Sequence, residues 1–180
     1  MLRIMCGIPG SGKSHHARQL KKMYSATIIE PDAFRLELTG RTYHYPIENH
    51  VWAIVKTTLN VLLRQEHDVI LDATALTVDR RREWVRLAQS FNIPILAYVQ
   101  YVPQAMCIQR NANREFPVPD DVMRRQMDSF TIPSLREGFS SVLIYGTKEG
   151  NFDYQLRACA TSNGTVSGNY EELEWTKPYN

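Results

Sequence analysis

The sequence has few cysteines, little net charge and no long apolar run, and each of these features excludes a class of protein. Its three cysteines, Cys6, Cys107 and Cys159, are widely spaced and form no Cys-x-x-Cys pair. A disulfide scaffold and a zinc module are therefore excluded, and a reduced, cytoplasmic protein is expected. The net charge of +2 does not by itself require a nucleic-acid partner. No segment approaches the roughly 18 apolar residues of a membrane-spanning helix, and we expect no signal peptide.

A phosphate-binding loop follows the first apolar segment of the chain. Residues Gly7-Ile8-Pro9-Gly10-Ser11-Gly12-Lys13-Ser14 fit the pattern G-x-x-x-x-G-K-[S/T] at every fixed position. The pattern stands between a predicted strand over residues 2–6 and a predicted helix over residues 15–23, which is the context that the motif requires. Backbone N–H groups of such a loop surround a polyphosphate, and the helix N-terminus adds partial positive charge. We expect ATP to be bound by Gly7, Pro9, Gly10, Ser11, Gly12, Lys13 and Ser14.

Two side chains of this loop have predicted roles in chemistry. Lys13 is expected to reach the β- and γ-phosphates and to neutralise charge during transfer. The Ser14 hydroxyl is expected to ligate Mg²⁺.

Strand-like and helical segments alternate along most of the chain. Strands are predicted over residues 2–6, 26–30, 68–72, 93–99 and 141–145, and helices over residues 15–23, 46–66, 78–90, 103–113 and 120–130. This alternation predicts an α/β fold with a parallel sheet covered by helices on both faces. We expect one domain over residues 1–145, followed by a loop-rich extension of unknown role over residues 146–180.

Acidic residues follow the second and third predicted strands. The carboxyl ends of parallel strands face the ligand crevice of an open α/β sheet, so Asp32 and Asp72 are expected to meet there. Asp72 is a candidate for Mg²⁺ or substrate binding, and Asp32 for accepting the proton of a substrate hydroxyl. Arg35 lies one helical turn beyond Asp32 and is expected on the same face. Either aspartate is also a common capping residue, and that alternative stays open.

A pair of arginines precedes a proline-rich break in the sequence. Arg110 and Arg114 are spaced to share one helix face, and their guanidinium groups suit phosphate oxygens. The following Glu115-Phe116-Pro117-Val118-Pro119 is expected to be the hinge of a lid over about residues 110–126. The alternative is a solvated basic helix face.

The segment Arg41-Thr42-Tyr43-His44-Tyr45 interleaves basic and aromatic residues. Tyr43 and Tyr45 are candidate stacking platforms for nucleobases. Two tyrosines that pack a loop against the core would produce the same pattern, so both interpretations stay open.

Taken together, these elements resemble the kinase domain of the phage-type and bacterial 5′-OH polynucleotide kinases, which are adenylate-kinase-like P-loop phosphotransferases. The resemblance covers roughly residues 2–145. It rests on Gly7–Ser14, Asp32-x-x-Arg35, Asp72-Ala73-Thr74 with Asp79-Arg80-Arg81-Arg82, Arg110-Asn111-x-x-Arg114 and Leu135-Arg136-Glu137-Gly138-Phe139. Family members often carry Asn where this sequence has Ala75.

The resemblance implies a fold, cofactors and an acceptor. It implies a five-stranded parallel sheet in the order 2-3-1-4-5, ATP and Mg²⁺ as cofactors, and a DNA or RNA 5′-hydroxyl as the acceptor. It also implies that Asp32 is the general base, that Arg35 contacts an acceptor phosphate, and that Arg110 and Arg114 engage the donor phosphates.

Two other functions are compatible with the same residues. One is a small-molecule kinase of the same class, acting on a nucleotide-sugar, a sugar or an antibiotic. The other is a non-catalytic nucleotide-binding switch, in which Asp32 and the paired arginines have no catalytic role.

Overall fold

A computed structural model describes residues 1–42, 45–147, 154–161 and 166–167, in which strands and helices alternate as expected. The strands are β1 (Leu2–Cys6), β2 (Thr27–Ile29), β3 (Val69–Leu71), β4 (Ile95–Tyr101), β5 (Ser141–Thr147), β6 (Tyr154–Thr161) and β7 (Val166–Ser167). The helices are α1 (Lys13–Tyr24), α2 (Pro31–Thr39), α3 (Glu48–Arg64), α4 (Val78–Ser90), α5 (Gln104–Ala112) and α6 (Asp120–Ser129). Short 3-10 turns cover Tyr45–Ile47 and Leu135–Glu137. None of the helices in these described ranges is long and apolar enough to cross a membrane.

All of these strands belong to one sheet, ordered β2-β3-β1-β4-β5-β6-β7. The first five are parallel, so the predicted order 2-3-1-4-5 is confirmed. In the register, Leu2 of the central strand β1 lies between Val69 of β3 and Ile95 of β4. The carboxyl ends of these strands consequently share one edge of the sheet.

The sheet is wider than the five predicted strands. β6 pairs antiparallel with β5, and β7 pairs antiparallel with β6. The segment expected to be a loop-rich extension therefore contributes to the sheet. Antiparallel strands need only a short connection, in contrast to parallel neighbours, so β6 can pair with β5 although only a few residues separate them in the sequence. The sequence interpretation gave weight to the Ser-, Asn- and Gly-rich residues after β6 and missed the strand before them. The domain boundary near residue 145 stays a prediction.

Alternating side chains of the strands pack on opposite faces of the sheet. Leu2, Ile4 and Cys6 belong to the larger cluster, which also contains residues of α3 and α4. Met5 belongs to a second cluster with Ala17 and other residues around α1. Both faces are therefore buried, which explains why the central strand reads as a nearly continuous apolar run.

Arg81 connects three segments beside the sheet. Its side chain is fully buried, and its Nε and Nη2 atoms donate to the carboxylate of Glu137 at 2.7 and 3.0 Å. Its Nη1 atom donates to the carbonyl oxygens of Ala75, Leu76 and Thr131 at 2.8–3.0 Å. Helix α4 is thereby joined to the loop after β3 and to residues 131–137. Arg81 thus stabilises the wall of the site described below.

Candidate active site

A cleft of about 780 Å³ lies at the carboxyl edge of the sheet. It is bordered by the phosphate loop, the first turn of α2, the loop after β3, the beginnings of α3 and α4, and the end of α5. Of the predicted site residues, Pro9, Gly10, Gly12, Lys13, Ser14, Asp32, Arg35, Asp72, Arg110 and Arg114 line it. Gly7 and Ser11 are buried within the loop and do not line the cleft. Tyr43 lies outside the described residues, and only the backbone of Tyr45 is described.

Two glycines allow the phosphate loop to approach its neighbours closely. Gly10 has a φ of +79°, and a Cβ atom there would collide with the carbonyl group of Cys107 in α5. Gly7 has a φ of +146°, and a Cβ atom there would lie 2.9 Å from the carbonyl oxygen of Gln100 and from Oγ of Ser11. A side chain at either position would displace the loop from β4 or α5, which is the physical reason for glycine in both places.

Lys13 begins α1 and turns back over the loop. Its Nζ atom donates to the carbonyl oxygen of Ile8 at 2.9 Å, and the residue is only 8% exposed. Burial lowers the pKa of Lys13, and the nearby carboxylate of Asp72 acts in the opposite direction. An ammonium group in this position is held next to the loop backbone, where the phosphates of a nucleotide would lie.

Ser14 and Asp72 bring a hydroxyl and a carboxylate together beside Lys13. The Ser14 hydroxyl donates a hydrogen bond to the Asp72 carboxylate, which is 6% exposed. Burial raises the pKa of Asp72, while the hydrogen bond from Ser14 and the charge of Lys13 act to lower it. Hydroxyl and carboxylate oxygens are the ligands that Mg²⁺ takes in proteins. The donor set therefore fits the predicted magnesium site.

Asp32 belongs to a network of charges on the opposite side of the cleft. Arg35 donates through Nη1 to Asp32 Oδ1 at 2.6 Å, and through Nε and Nη2 to the two carboxylate oxygens of Glu48 at 2.6 and 2.8 Å. The indole Nε1 of Trp52 also donates to Glu48, at 3.1 Å. Partial burial works to raise the pKa of Glu48, but the hydrogen bonds and charge of Arg35 lower it below its usual value.

This network orients the Asp32 carboxylate. Its carboxylate is 46% exposed and faces the cleft, with the Arg35 guanidinium fixing one of its two oxygens. Because Arg35 is shared between two carboxylates, its predicted contact with an acceptor phosphate stays a prediction. Glu48 and Trp52 were missed by the sequence interpretation. Nothing in their spacing marks them, since α2 and α3 meet only through the tertiary fold.

Arg110 and Arg114, the two arginines of the predicted lid and hereafter the lid arginines, reach the cleft from different elements: Arg110 lies in α5, and Arg114 lies after it. Helix α5 ends at Ala112, so the expectation that Arg110 and Arg114 share one helix face is wrong. Beyond the helix, the Asn111 side chain bonds both the N–H and the carbonyl oxygen of Val118, at 3.1 and 2.8 Å. These two hydrogen bonds hold Val118 next to the end of α5, where it lines the cleft. Nη2 of Arg114 lies 3.9 Å from Asp32 Oδ2.

The family departure at Ala75 has a conformational consequence. Ala75 adopts a φ of +44°, in the left-handed region that Asn tolerates better than Ala. Its carbonyl oxygen accepts a hydrogen bond from the buried Arg81, which holds the residue in place. This hydrogen bond from Arg81 therefore stabilises the loop after β3 in its left-handed conformation.

A parallel sheet with a phosphate loop after its central strand, a Ser–Asp pair and a facing Asp–Arg pair defines the class of P-loop kinases. The chain belongs to the AAA domain family, whose model matches residues 2–133. That match includes the phosphate loop, Asp32, Asp72 and both lid arginines.

Two curated relatives and one solved structure show what the chain is similar to. A bifunctional polynucleotide phosphatase/kinase from Schizosaccharomyces pombe is 27% identical over 144 residues, covering 77% of this chain and 32% of that protein. An L-seryl-tRNA(Sec) kinase from Methanococcus maripaludis is 21% identical over 140 residues, covering 76% of this chain and 54% of that protein. The chain thus spans between about a third and a half of the length of these relatives.

The solved structure of AvrRxo1-ORF1:-ORF2 with ATP has the same fold. It superposes with a TM-score of 0.75 at 14% identity, covering 96% of this chain and 61% of that one. At this identity the likeness extends to the fold alone.

Proposed function

We propose that this protein transfers the γ-phosphoryl group of ATP, with Mg²⁺, to the 5′-hydroxyl of a DNA or RNA strand. The observation that carries this proposal is the position of Asp32, which faces the phosphate loop across one cleft while Arg35 holds its carboxylate at 2.6 Å. The likeness to a polynucleotide phosphatase/kinase supports the choice of acceptor.

The donor half of the site binds and orients the triphosphate. Loop N–H groups and the N-terminus of α1 face its oxygens, and Lys13 neutralises charge that develops on the leaving phosphate. Ser14 and Asp72 would hold Mg²⁺, which supplies charge neutralisation at the phosphate oxygens when bound. The protein performs little covalent chemistry in such a transfer, so positioning and charge stabilisation account for the catalysis.

Asp32 handles the proton of the acceptor. The 5′-hydroxyl oxygen forms a bond to the γ-phosphorus while the bond from that phosphorus to the bridging oxygen of ADP breaks. The hydroxyl proton passes to the Asp32 carboxylate and later to water. Arg35 keeps the carboxylate oriented, because one of its N–H groups is bonded to Oδ1 while Glu48 fixes the rest of the guanidinium.

The lid arginines stabilise the transferring group. Arg110 and Arg114 line the same cleft as Lys13 and Asp32, so their guanidinium groups are within reach of a phosphoryl group that passes through it. Guanidinium forks match such oxygens in geometry as well as in charge. Arg114 also lies close to Asp32, so a bound phosphate would compete with that carboxylate for the same guanidinium.

A direct assay tests the proposal. The protein is incubated with Mg²⁺, γ-labelled ATP and four acceptors: a DNA and an RNA oligonucleotide with 5′-hydroxyl ends, the same DNA already carrying a 5′-phosphate, and a panel of sugars and nucleotide-sugars. Label is expected only on the 5′-hydroxyl oligonucleotides, and Lys13→Ala is expected to remove it. Transfer to a sugar or nucleotide-sugar alone would replace the proposal with a small-molecule kinase, and hydrolysis without any transfer would favour a nucleotide switch.

A second acceptor is favoured by one specific observation. The likeness to an L-seryl-tRNA(Sec) kinase covers nearly the same share of the chain as the likeness to the polynucleotide phosphatase/kinase. Both names describe transfer to a hydroxyl carried by a nucleic acid. Seryl-tRNA added to the assay distinguishes them, because its label would be released by mild deacylation, whereas a 5′-terminal label would not.

A further inference from the structure

We propose that Trp52 and Arg80 recognise the acceptor together, with the indole ring stacking on the terminal nucleobase and the guanidinium binding the first phosphodiester that follows it. This proposal rests on the proposed function, and it names the terminal base and the first phosphodiester as the parts of the acceptor that the site binds. Both residues line the cleft on its Asp32 side, and Arg80 Cζ lies 6.0 Å from the centroid of the Trp52 ring.

The Trp52 ring is held in a fixed orientation. Its Nε1 atom donates to Glu48 at 3.1 Å, and its ring lies 5.9 Å from that of Trp84, at an interplanar angle of 37°. Trp84 is 3% exposed and belongs to the core, whereas Trp52 is half-buried and borders the cleft. A fixed aromatic ring at the cleft wall loses little entropy when a base stacks on it, which makes it a suitable platform for single-stranded nucleic acid.

Arg80 differs from the other arginines that surround it. Arg81 is buried against Glu137, Arg82 pairs with Asp79 at 2.7 Å, and Arg35 is shared between Asp32 and Glu48. Arg80 is exposed, and within the described ranges it has no carboxylate within 4 Å. Of the three consecutive arginines in the first turn of α4, only Arg80 borders the cleft. Its guanidinium lies over the Trp52 ring and its charge helps to lower the pKa of Glu48, but among the described residues it has no ion pair that must break before it binds an acceptor phosphate.

The chemistry of this wall favours a nucleotide unit over a free sugar. A planar apolar ring next to a guanidinium matches a base joined to a phosphodiester, since each part of the ligand meets a group of suitable chemistry. Trp52 bonds Glu48, and Arg35 Cζ lies 5.9 Å from the Trp52 ring while Arg35 bonds both Glu48 and Asp32. A strand that stacks on Trp52 would therefore place its 5′-hydroxyl next to the network that orients Asp32. The small net charge of the protein agrees with recognition of one phosphate rather than of a long strand.

The test compares changes in the acceptor with changes in the protein. Three 5′-hydroxyl DNA oligonucleotides are used: an unmodified strand, a strand with an abasic 5′-terminal residue, and a strand with an uncharged methylphosphonate at its first linkage. For the wild-type protein, removal of the base is expected to raise the acceptor KM about 5- to 150-fold. Removal of the charge is expected to raise it about tenfold, as for a charge-assisted contact.

Trp52→Leu and Arg80→Gln are each expected to abolish one of these two increases in KM. Trp52→Leu should remove the penalty for the abasic strand and leave the methylphosphonate penalty in place. Arg80→Gln should do the reverse. Trp52→Phe keeps a ring but loses the hydrogen bond to Glu48, so it should retain the abasic penalty if stacking is the cause. Arg82→Gln is the matched control on the same helical turn, and the KM for ATP checks that each variant is folded.

The outcomes separate this proposal from the proposed function. If wild type phosphorylates the oligonucleotides but both penalties persist unchanged in all variants, the Trp52–Arg80 assignment is overturned and the kinase remains. Fluorescence anisotropy with the same strands measures binding independently of transfer. Binding that depends on Trp52 and Arg80 without transfer would support the pair and overturn the kinase function. If wild type neither binds nor phosphorylates the strands, both are overturned.

Discussion

The proposed donor and acceptor sides of the cleft are built in different ways. The donor side consists largely of one uninterrupted stretch, Gly7 to Ser14, to which Asp72 is added from the next strand of the sheet. The acceptor side is assembled from separate helices, with Asp32 and Arg35 on α2, Glu48 and Trp52 on α3, and Arg80 on α4. One side is therefore local in sequence, and the other exists only when the helices pack.

The two sides also differ in how their charges are held. On the donor side, burial dominates: it lowers the pKa of Lys13 and raises that of Asp72. On the acceptor side, hydrogen-bonded ion pairs dominate, and Asp32 remains nearly half exposed. A buried site suits a phosphate chain that is the same for every reaction of the class. An open network between helices can change its specificity when single side chains change, and this is where acceptor recognition is expected to reside.

The strongest test of this division is Asp32→Asn. The amide is nearly isosteric and can still accept a hydrogen bond from Arg35, but it cannot serve as a base. We expect the rate of transfer to fall about 10²- to 10⁴-fold, while ATP affinity is unchanged. Single-turnover transfer and calorimetric ATP binding measure the two quantities. If the variant instead lost ATP affinity but kept the wild-type rate of transfer from bound ATP, Asp32 would belong to the donor side. The proposed division between donor and acceptor sides would then be wrong.

Lys13→Ala is the corresponding change on the donor side. Removal of a charge contact made in the transition state is expected to reduce the rate about 10²- to 10³-fold. The fold should persist, because the hydrogen bond from Nζ to Ile8 lies within the loop and joins no other element. Transfer assays and thermal unfolding are measured together. Normal turnover by a folded variant would contradict the role assigned to the loop.

Glu48→Gln sharpens the comparison by acting on Asp32 indirectly. The variant keeps the shape of the side chain but loses the charge that holds Arg35. We expect about a tenfold loss in kcat/KM for the acceptor and no change in the KM for ATP, because charge-assisted hydrogen bonds are the stronger kind. Glu83→Gln is the matched control, since its surface ion pair with Lys56 lies outside the cleft lining. Equal effects on both substrates would indicate a general loss of structure.

The smallest expected effects come from the arginines between the two sides. Arg110→Lys and Arg114→Lys retain the charge but lose the bidentate fork, so we expect a several-fold loss of kcat with little change in either KM. Arg114→Lys should have the larger effect on the acceptor reaction, because Arg114 also approaches Asp32. Steady-state kinetics on both substrates checks this. Full activity in both variants would mean that only diffuse positive charge is needed at this position.

Most of the fold could be predicted from residue patterns, and the exceptions have identifiable physical causes. The five parallel strands were located correctly because strand and helix periodicities are local, whereas their order in the sheet was implied by the family resemblance. β6 was missed because an antiparallel strand needs no crossover helix, and such a helix is the pattern that indicated the parallel strands. The end of α5 was predicted to within one residue, but the expectation that Arg114 shares a helix face with Arg110 was wrong, because Arg114 lies beyond the helix, where Asn111 bonds the backbone of Val118.

The sequence by itself determined the donor side, since eight consecutive residues contain the glycines, the lysine and the serine that a phosphate loop requires. Only the tertiary structure decided the acceptor side. Arg80, Arg81 and Arg82 are identical in type and adjacent in sequence, yet one borders the cleft, one is buried against Glu137 and one pairs on the surface. Helical geometry points consecutive side chains in different directions, and the packing of α4 then determines what each of them meets.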